Sequence, residues 1–527
     1  MLRPLQICCF LCFCCAAVSA SAQRSAPAAH SQGQADVLYR QGLAAFQKQD
    51  FAAARAAFEK LVRLAPRNAE AHHQLARALS FNAPIEDAIK EMHRAIELAP
   101  KRADLHDDLG SLLARIPQNE QAAVEFAQAL HLDPKLAPAH LHLGVIRWQQ
   151  KSLAEAAEHL QQAVRLAPEA PLHHYYFGRV LAEQNPADPN AVRELQAAVK
   201  LNPNFAEGLN QLGLLLQHTG DADGAVEAFQ SLVRLKPDDA DAHNNLGFAL
   251  IQTGHAESSI PEFQAAMRLR PEDVSYRGNL GVAYLQKADF DAAVREFQAA
   301  LAASPEDATL HYDLGLALKL KDQLPEAIAE FRKAAELDPA QADIRYTLGV
   351  TLWQLGNFAE AETQLRAATE ANPSYAEAYY TLGTVLKQQT KLPEAAAALR
   401  EAIRLQPDFA GAHTTLAAVL REQGDAAGAA TESKAASEIS KSVYSLQGAT
   451  FATNSGKRLM QAGDLDGAIG QFRSAIQLAP EFAPAHQQLG LGLQRKGAKD
   501  ESEKELRKAG ELDPRFASAK QGENVPK

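Results

Sequence analysis

Apolar residues recur along this chain at helical spacing, in paired runs, and a proline closes almost every pair. The prolines are Pro66, Pro100, Pro134, Pro168, Pro203, Pro237, Pro271, Pro305, Pro339, Pro373 and Pro407, then Pro480 and Pro514. The step is 34 residues, with one step of 35 and one gap of 73. With each proline set at position 32, position 8 is always Gly or Ala, from Gly42 to Gly490. Position 20 is equally small, from Ala54 to Ser502, and position 24 is mostly Phe or Leu. Positions 4, 7, 8 and 11 form one stripe of a first helix, and 20, 24 and 27 one stripe of a second. Small residues at 8 and 20 let the two backbones approach, the large residue at 24 fills the space beside them, and the proline ends the unit. One helix pair cannot hide its apolar faces; stacked pairs can.

Leu-Gly at positions 7–8, Ala at 20, an aromatic or Leu at 24 and Pro at 32 resemble the tetratricopeptide repeat, over about fourteen units from Ala35 to about Ala519. The resemblance implies an all-α fold: an α-solenoid of antiparallel helix pairs, wound as a right-handed superhelix with its first helices lining a concave groove. It also implies a protein-interaction scaffold.

Four departures are informative. Position 4 is often His (His72, His106, His140, His174, His243, His311, His413, His486). The fifth repeat carries one extra residue. Pro261 stands where a second helix should already be running, which predicts a late start or a kink. The twelfth repeat lacks its proline and has Ser433 at position 24, with five extra residues after it. That predicts a weakened joint at 442–448 between an array at 35–441 and two further repeats at 449–519, followed by a tail at 520–527.

The start of the chain reads as an export signal over 1–22: Arg3, an apolar run Leu5–Val18, then Ala20-Ser21-Ala22 with cleavage before Gln23. The run is short for a bilayer span, which needs about 17–25 residues. All five cysteines lie inside it, so the exported chain has no disulfide and no cysteine nucleophile. Residues 23–34, rich in Ser, Ala and Gln, read as a disordered leader. An exported location, periplasmic or secreted, is expected. The net charge of -11, without clustered Lys and Arg, argues against nucleic acid as a partner.

No Gly-x-Ser-x-Gly or His-Glu-x-x-His is present, and Asn454-Ser455-Gly456-Lys457 lacks the first Gly and the Ser or Thr of a phosphate loop. Histidines of adjacent repeats are too far apart to share a zinc ion, since packed helices sit about 8–10 Å apart. Neither a metal, a cofactor nor catalysis is expected. Position 6 is polar throughout; Asn245 and Asn279 offer the donor and acceptor that suit an extended peptide backbone. Tyr312, Tyr346 and Tyr380 hold position 5 in three consecutive repeats, followed by Asp313 at position 6 and by Lys319, Trp353 and Lys387 at position 12. Such rings either pack between repeats or form a hot spot for a partner. The expected function is a non-catalytic scaffold of the cell envelope or exterior that binds proteins or extended peptides. The alternative is a non-catalytic recruiting subunit of an envelope enzyme complex, such as polysaccharide or glycan machinery.

Overall fold

The computed structural model describes residues 26–116 and 118–517, so the export signal at 1–22 and the tail at 520–527 lie outside the described residues. Among the described residues there are twenty-seven α-helices, α1 (Ala26–Gln47) to α27 (Lys499–Leu512), one short 3-10 turn and no strand. The chain divides into two compact units between Leu269 and Arg270. Each is a TPR-like stack of antiparallel helix pairs. The expected division at 442–448 is not where the contacts part.

Ala83 and Asn185 are extended at position 15, but most pairs close there through a backbone turn that takes a left-handed conformation. Glycine supplies it at Gly220, Gly254, Gly356, Gly424, Gly463 and Gly497, while Gln49, Lys151, Ala288, Asp322 and Thr390 adopt it at φ 58–64. Asp50, Asp221, Asp289, Asp425 and Asp464 then cap the second helix through their carboxylates.

Inside the pair, position 8 is locked to position 24. A Cβ on Gly42, Gly213 or Gly315 would lie 2.5–2.6 Å from the ring of Phe58, Phe229 or Phe331. Phe58, Phe229 and Phe331 are fully buried, as are Ala54, Ala225 and Ala327 at position 20. Alanine replaces glycine at position 8 only in two repeats, Ala76 and Ala417, where position 24 is Met92 or Ser433 instead of Phe or Leu. A thin or absent ring leaves room for the methyl group.

Most of the histidines at position 4 act as clips. Nδ1 of His72, His174, His243, His311, His413 and His486 lies 2.6 Å from a glutamate at position 23 of the same repeat, and Nδ1 of His106 lies 2.7 Å from Glu125. Except in His106, Nε2 of the same rings lies 2.9–3.1 Å from the carbonyl of the preceding repeat's closing proline. A carbonyl only accepts, so Nε2 carries the proton there. Arg345 makes the equivalent span from Pro339 O to Gln364. One side chain therefore ties both helices of a repeat to the end of the one before.

Three sequence expectations need correction. Residues 26–34, read as leader, are the first turns of α1; their Ala and Gln content favours helix once a helix follows. Helix α14 (Ala256–Leu269) begins at position 17, as its counterparts do, with Pro261 inside it, so of the late start or kink expected there the late start does not occur. In place of a joint, α24 (Ala426–Gln461) runs unbroken for 36 residues and fuses the second helix of repeat twelve to the first of repeat thirteen. Without the closing proline, nothing between Asp425 and Gly463 forces a turn.

Candidate partner-binding face

In the second unit, the first helices of repeats eight to eleven are α15 (Val274–Gln286), α17 (Ala308–Leu320), α19 (Ala342–Gln354) and α21 (Ala376–Gln388). Tyr312 sits on α17, Tyr346 on α19 and Tyr380 on α21, all half-buried against the core. Each ring is held by an aromatic neighbour: Phe331 for Tyr312 at 5.7 Å between centroids, Tyr375 for Tyr346 at 4.9 Å, and Phe409 for Tyr380 at 4.7 Å. Packing thus fixes each ring while part of it stays accessible. Trp353 is half-buried against the same core. Lys387 lies 3.5 Å from Glu422. Burial pushes the Lys319 ammonium down from its ordinary range.

A recurring cross-repeat contact organises this face. In several repeats the side chain at position 5 bonds position 6 of the next, 35 residues on. In the second unit Tyr312 Oη lies 3.2 Å from Thr347 Oγ1. In the first unit the rungs are His73 Nε2 to Asp108 Oδ2 at 2.5 Å, His142 Nδ1 to Asp107 Oδ1 at 2.8 Å, and Asn245 Nδ2 to Asn210 Oδ1 at 3.4 Å. Reading one period plus one residue along the sequence would have found these pairs. The position-6 row is visible in the sequence on its own; its partners at position 5 stand out only when neighbouring repeats are aligned.

The rungs set the local electrostatics. Burial opposes charge on His73, but Asp108 and Glu70 outweigh it and hold the imidazole above its ordinary range. Asp107 and Asp108 likewise outweigh burial and raise the half-buried His142. Burial also opposes charge on Glu70, yet His73, Gln74 and Arg102 keep it far below the usual carboxylate range. These first-unit groups satisfy one another, and among the described residues no cluster of three or more His, Cys, Asp or Glu side chains is arranged to hold a metal ion.

Asp313 is the exception. Position 5 of the preceding repeat is Gly278, which has no side chain to offer. Among the described residues no donor reaches the Asp313 carboxylate, and burial, reinforced by Asp307, pushes it up to about 6. The predicted site residues are all half-buried. The structure brings Asn279, Tyr312, Asp313, Lys319, Tyr346, Trp353, Tyr380 and Lys387 onto the first helices of the second unit, whereas Asn245 belongs to the first unit.

Tetratricopeptide-repeat family models match residues 35–68, 108–171, 218–254, 244–294, 279–342, 346–408 and 380–440. The chain is a tetratricopeptide-repeat protein. As such it belongs to a fold of protein-interaction scaffolds. Solved structures similar to this tetratricopeptide-repeat chain include YrrB, described as a TPR protein with an unusual peptide-binding site (27% identity over 35% of this chain and 95% of that one, TM-score 0.32). MamA (27%, 31% and 94%, 0.30) and pilF of Pseudomonas aeruginosa (21%, 40% and 94%, 0.37) are also similar. No curated protein matches the sequence.

Proposed function

We propose that this tetratricopeptide-repeat protein is a non-catalytic scaffold of the cell envelope or exterior, and that it binds an extended segment of a partner protein across α17, α19 and α21. The observation that carries this reading is the row of Tyr312, Tyr346 and Tyr380. Three rings stand at one register on consecutive repeats, each braced by an aromatic neighbour. Braced tyrosines give contact area at low entropic cost. Trp353 extends the apolar strip two helical turns from Tyr346, Asp313, Lys319 and Lys387 supply polar ends, and Asn279 on α15 offers an amide to a peptide backbone. Export is supported by Arg3, the Leu5–Val18 run and Ala20-Ser21-Ala22.

The test is crosslinking in living cells of the full chain, expressed with its own N-terminus and tagged at Lys527, with partners identified by mass spectrometry. A variant carrying Tyr312→Ala, Tyr346→Ala and Tyr380→Ala is checked by circular dichroism. A defined envelope partner that is lost in the folded variant is the expected result. A partner retained by the variant moves the site elsewhere, capture of cytoplasmic proteins alone refutes the location, and a stable enzyme partner turns the scaffold into a recruiting subunit.

A further inference from the structure

Resting on the peptide-binding reading of α17, α19 and α21, we infer that Asp313 is a docking point for a basic side chain, lysine or arginine, of the bound segment.

The rung pattern carries the argument. In four repeats the side chain at position 5, His73, Asp107, Asn210 or Tyr312, engages position 6 of the next repeat. Gly278 is the member of this series with no side chain, and the residue it leaves without a rung is an acid rather than a threonine or amide. A half-buried carboxylate with no donor is held at a cost, and the burial that raises it also strengthens any cation brought to it. Asp307 adds to the negative potential; its carboxylate accepts from the amides of Thr309 and Leu310 at the start of α17. A lone carboxylate lacks the several oxygen ligands a calcium ion takes, which leaves an organic cation as the matching ligand. Tyr312 is the next residue along the helix and Tyr346 stands one repeat on, so a basic side chain at Asp313 belongs to a segment that also covers the tyrosine row.

Four pooled nonapeptide libraries, randomised except for a central Arg, Lys, Gln or Glu, are immobilised, and retention of the purified full chain is measured at low ionic strength. About tenfold stronger retention on the Arg and Lys pools than on the Gln and Glu pools is expected. Asp313→Asn removes the preference and leaves the residual retention. Gly278→Asn removes it too, by giving Asp313 an internal donor; the added Cβ meets only the Leu310 Cδ2 methyl, at 3.0 Å. A preference that survives Asp313→Asn overturns the assignment. Unchanged retention of every pool by Tyr346→Ala/Tyr380→Ala instead overturns the peptide face while leaving the cation preference intact, and no retention on any pool overturns both.

Discussion

Replacing Asp313 by Asn is expected to stabilise the second unit. The carboxyl is pushed from its ordinary 3.8 up to about 6, a difference worth about 3 kcal/mol, and partial access to water reduces the expected gain to roughly 2 kcal/mol. The sign follows from proton counting. Between pH 3.8 and about 6 the folded chain binds more protons at this site than the unfolded chain, so stability falls as pH rises through that window. Asparagine does not ionise, so its advantage is near zero below the window, grows through it, and is complete above pH 6. The assay uses one of the two tryptophans. Trp148 lies in the first unit and Trp353 in the second, so a Trp148→Phe background leaves Trp353, one repeat beyond Asp313, as the reporter. Urea titrations at pH 7.5 and pH 4, with and without Asp313→Asn, give a difference from which other titrating groups cancel. A rise of about 1 M in midpoint at pH 7.5, nearly absent at pH 4, is expected. An unchanged or lower midpoint at pH 7.5, or the same gain at both values, refutes the reasoning. The substitution that stabilises the fold is the one that abolishes the cation preference, as expected of a residue kept for binding.

Gly315→Ala should cost about 1–3 kcal/mol by driving a methyl into the Phe331 ring, and adding Phe331→Met should restore much of it, reproducing the Ala76–Met92 pair; urea midpoints check both. His413→Ala removes both ends of a clip, to Glu432 and to Pro407 O, and should cost about 1–3 kcal/mol by the same measurement. Gln447→Pro, at an exposed position in α24, should cost about 3 kcal/mol and create a protease-sensitive site near 447, read by limited proteolysis and loss of ellipticity at 222 nm.

The repeats and their helix pairs were legible because burial there depends on residue size at fixed intervals, and Gly42, Ala54, Phe58 and Pro66 show that in one unit. The fate of the twelfth repeat was not legible. The missing proline and Ser433 were read as weakness, but a helix ends only where something ends it, and the Ala, Ser and Lys residues after Asp425 do not. The role of the histidines at position 4 was not legible, since their partners, the position-23 glutamates and the proline carbonyls, have no signature that stands out among many exposed acids. In the candidate site the tyrosine row was evident from spacing alone. The singular state of Asp313 was not, because it comes from Gly278, an absence visible only once the side chains of neighbouring repeats are seen to meet.

Helix α24 also has a mechanical meaning. Repeat arrays under load come apart in units that contact only their neighbours, and each unit can leave separately when a turn separates it from the next. Repeats twelve and thirteen share one rod of 36 residues, about 54 Å long at 1.5 Å per residue. Pulled from the C-terminus, the last repeat can peel away alone, but the two before it must yield together, releasing chain of roughly twice the usual length in a single step. The gap of 73 residues between Pro407 and Pro480 thus sets a stride, and the rod makes this end of the array a stiff handle rather than a frayed one.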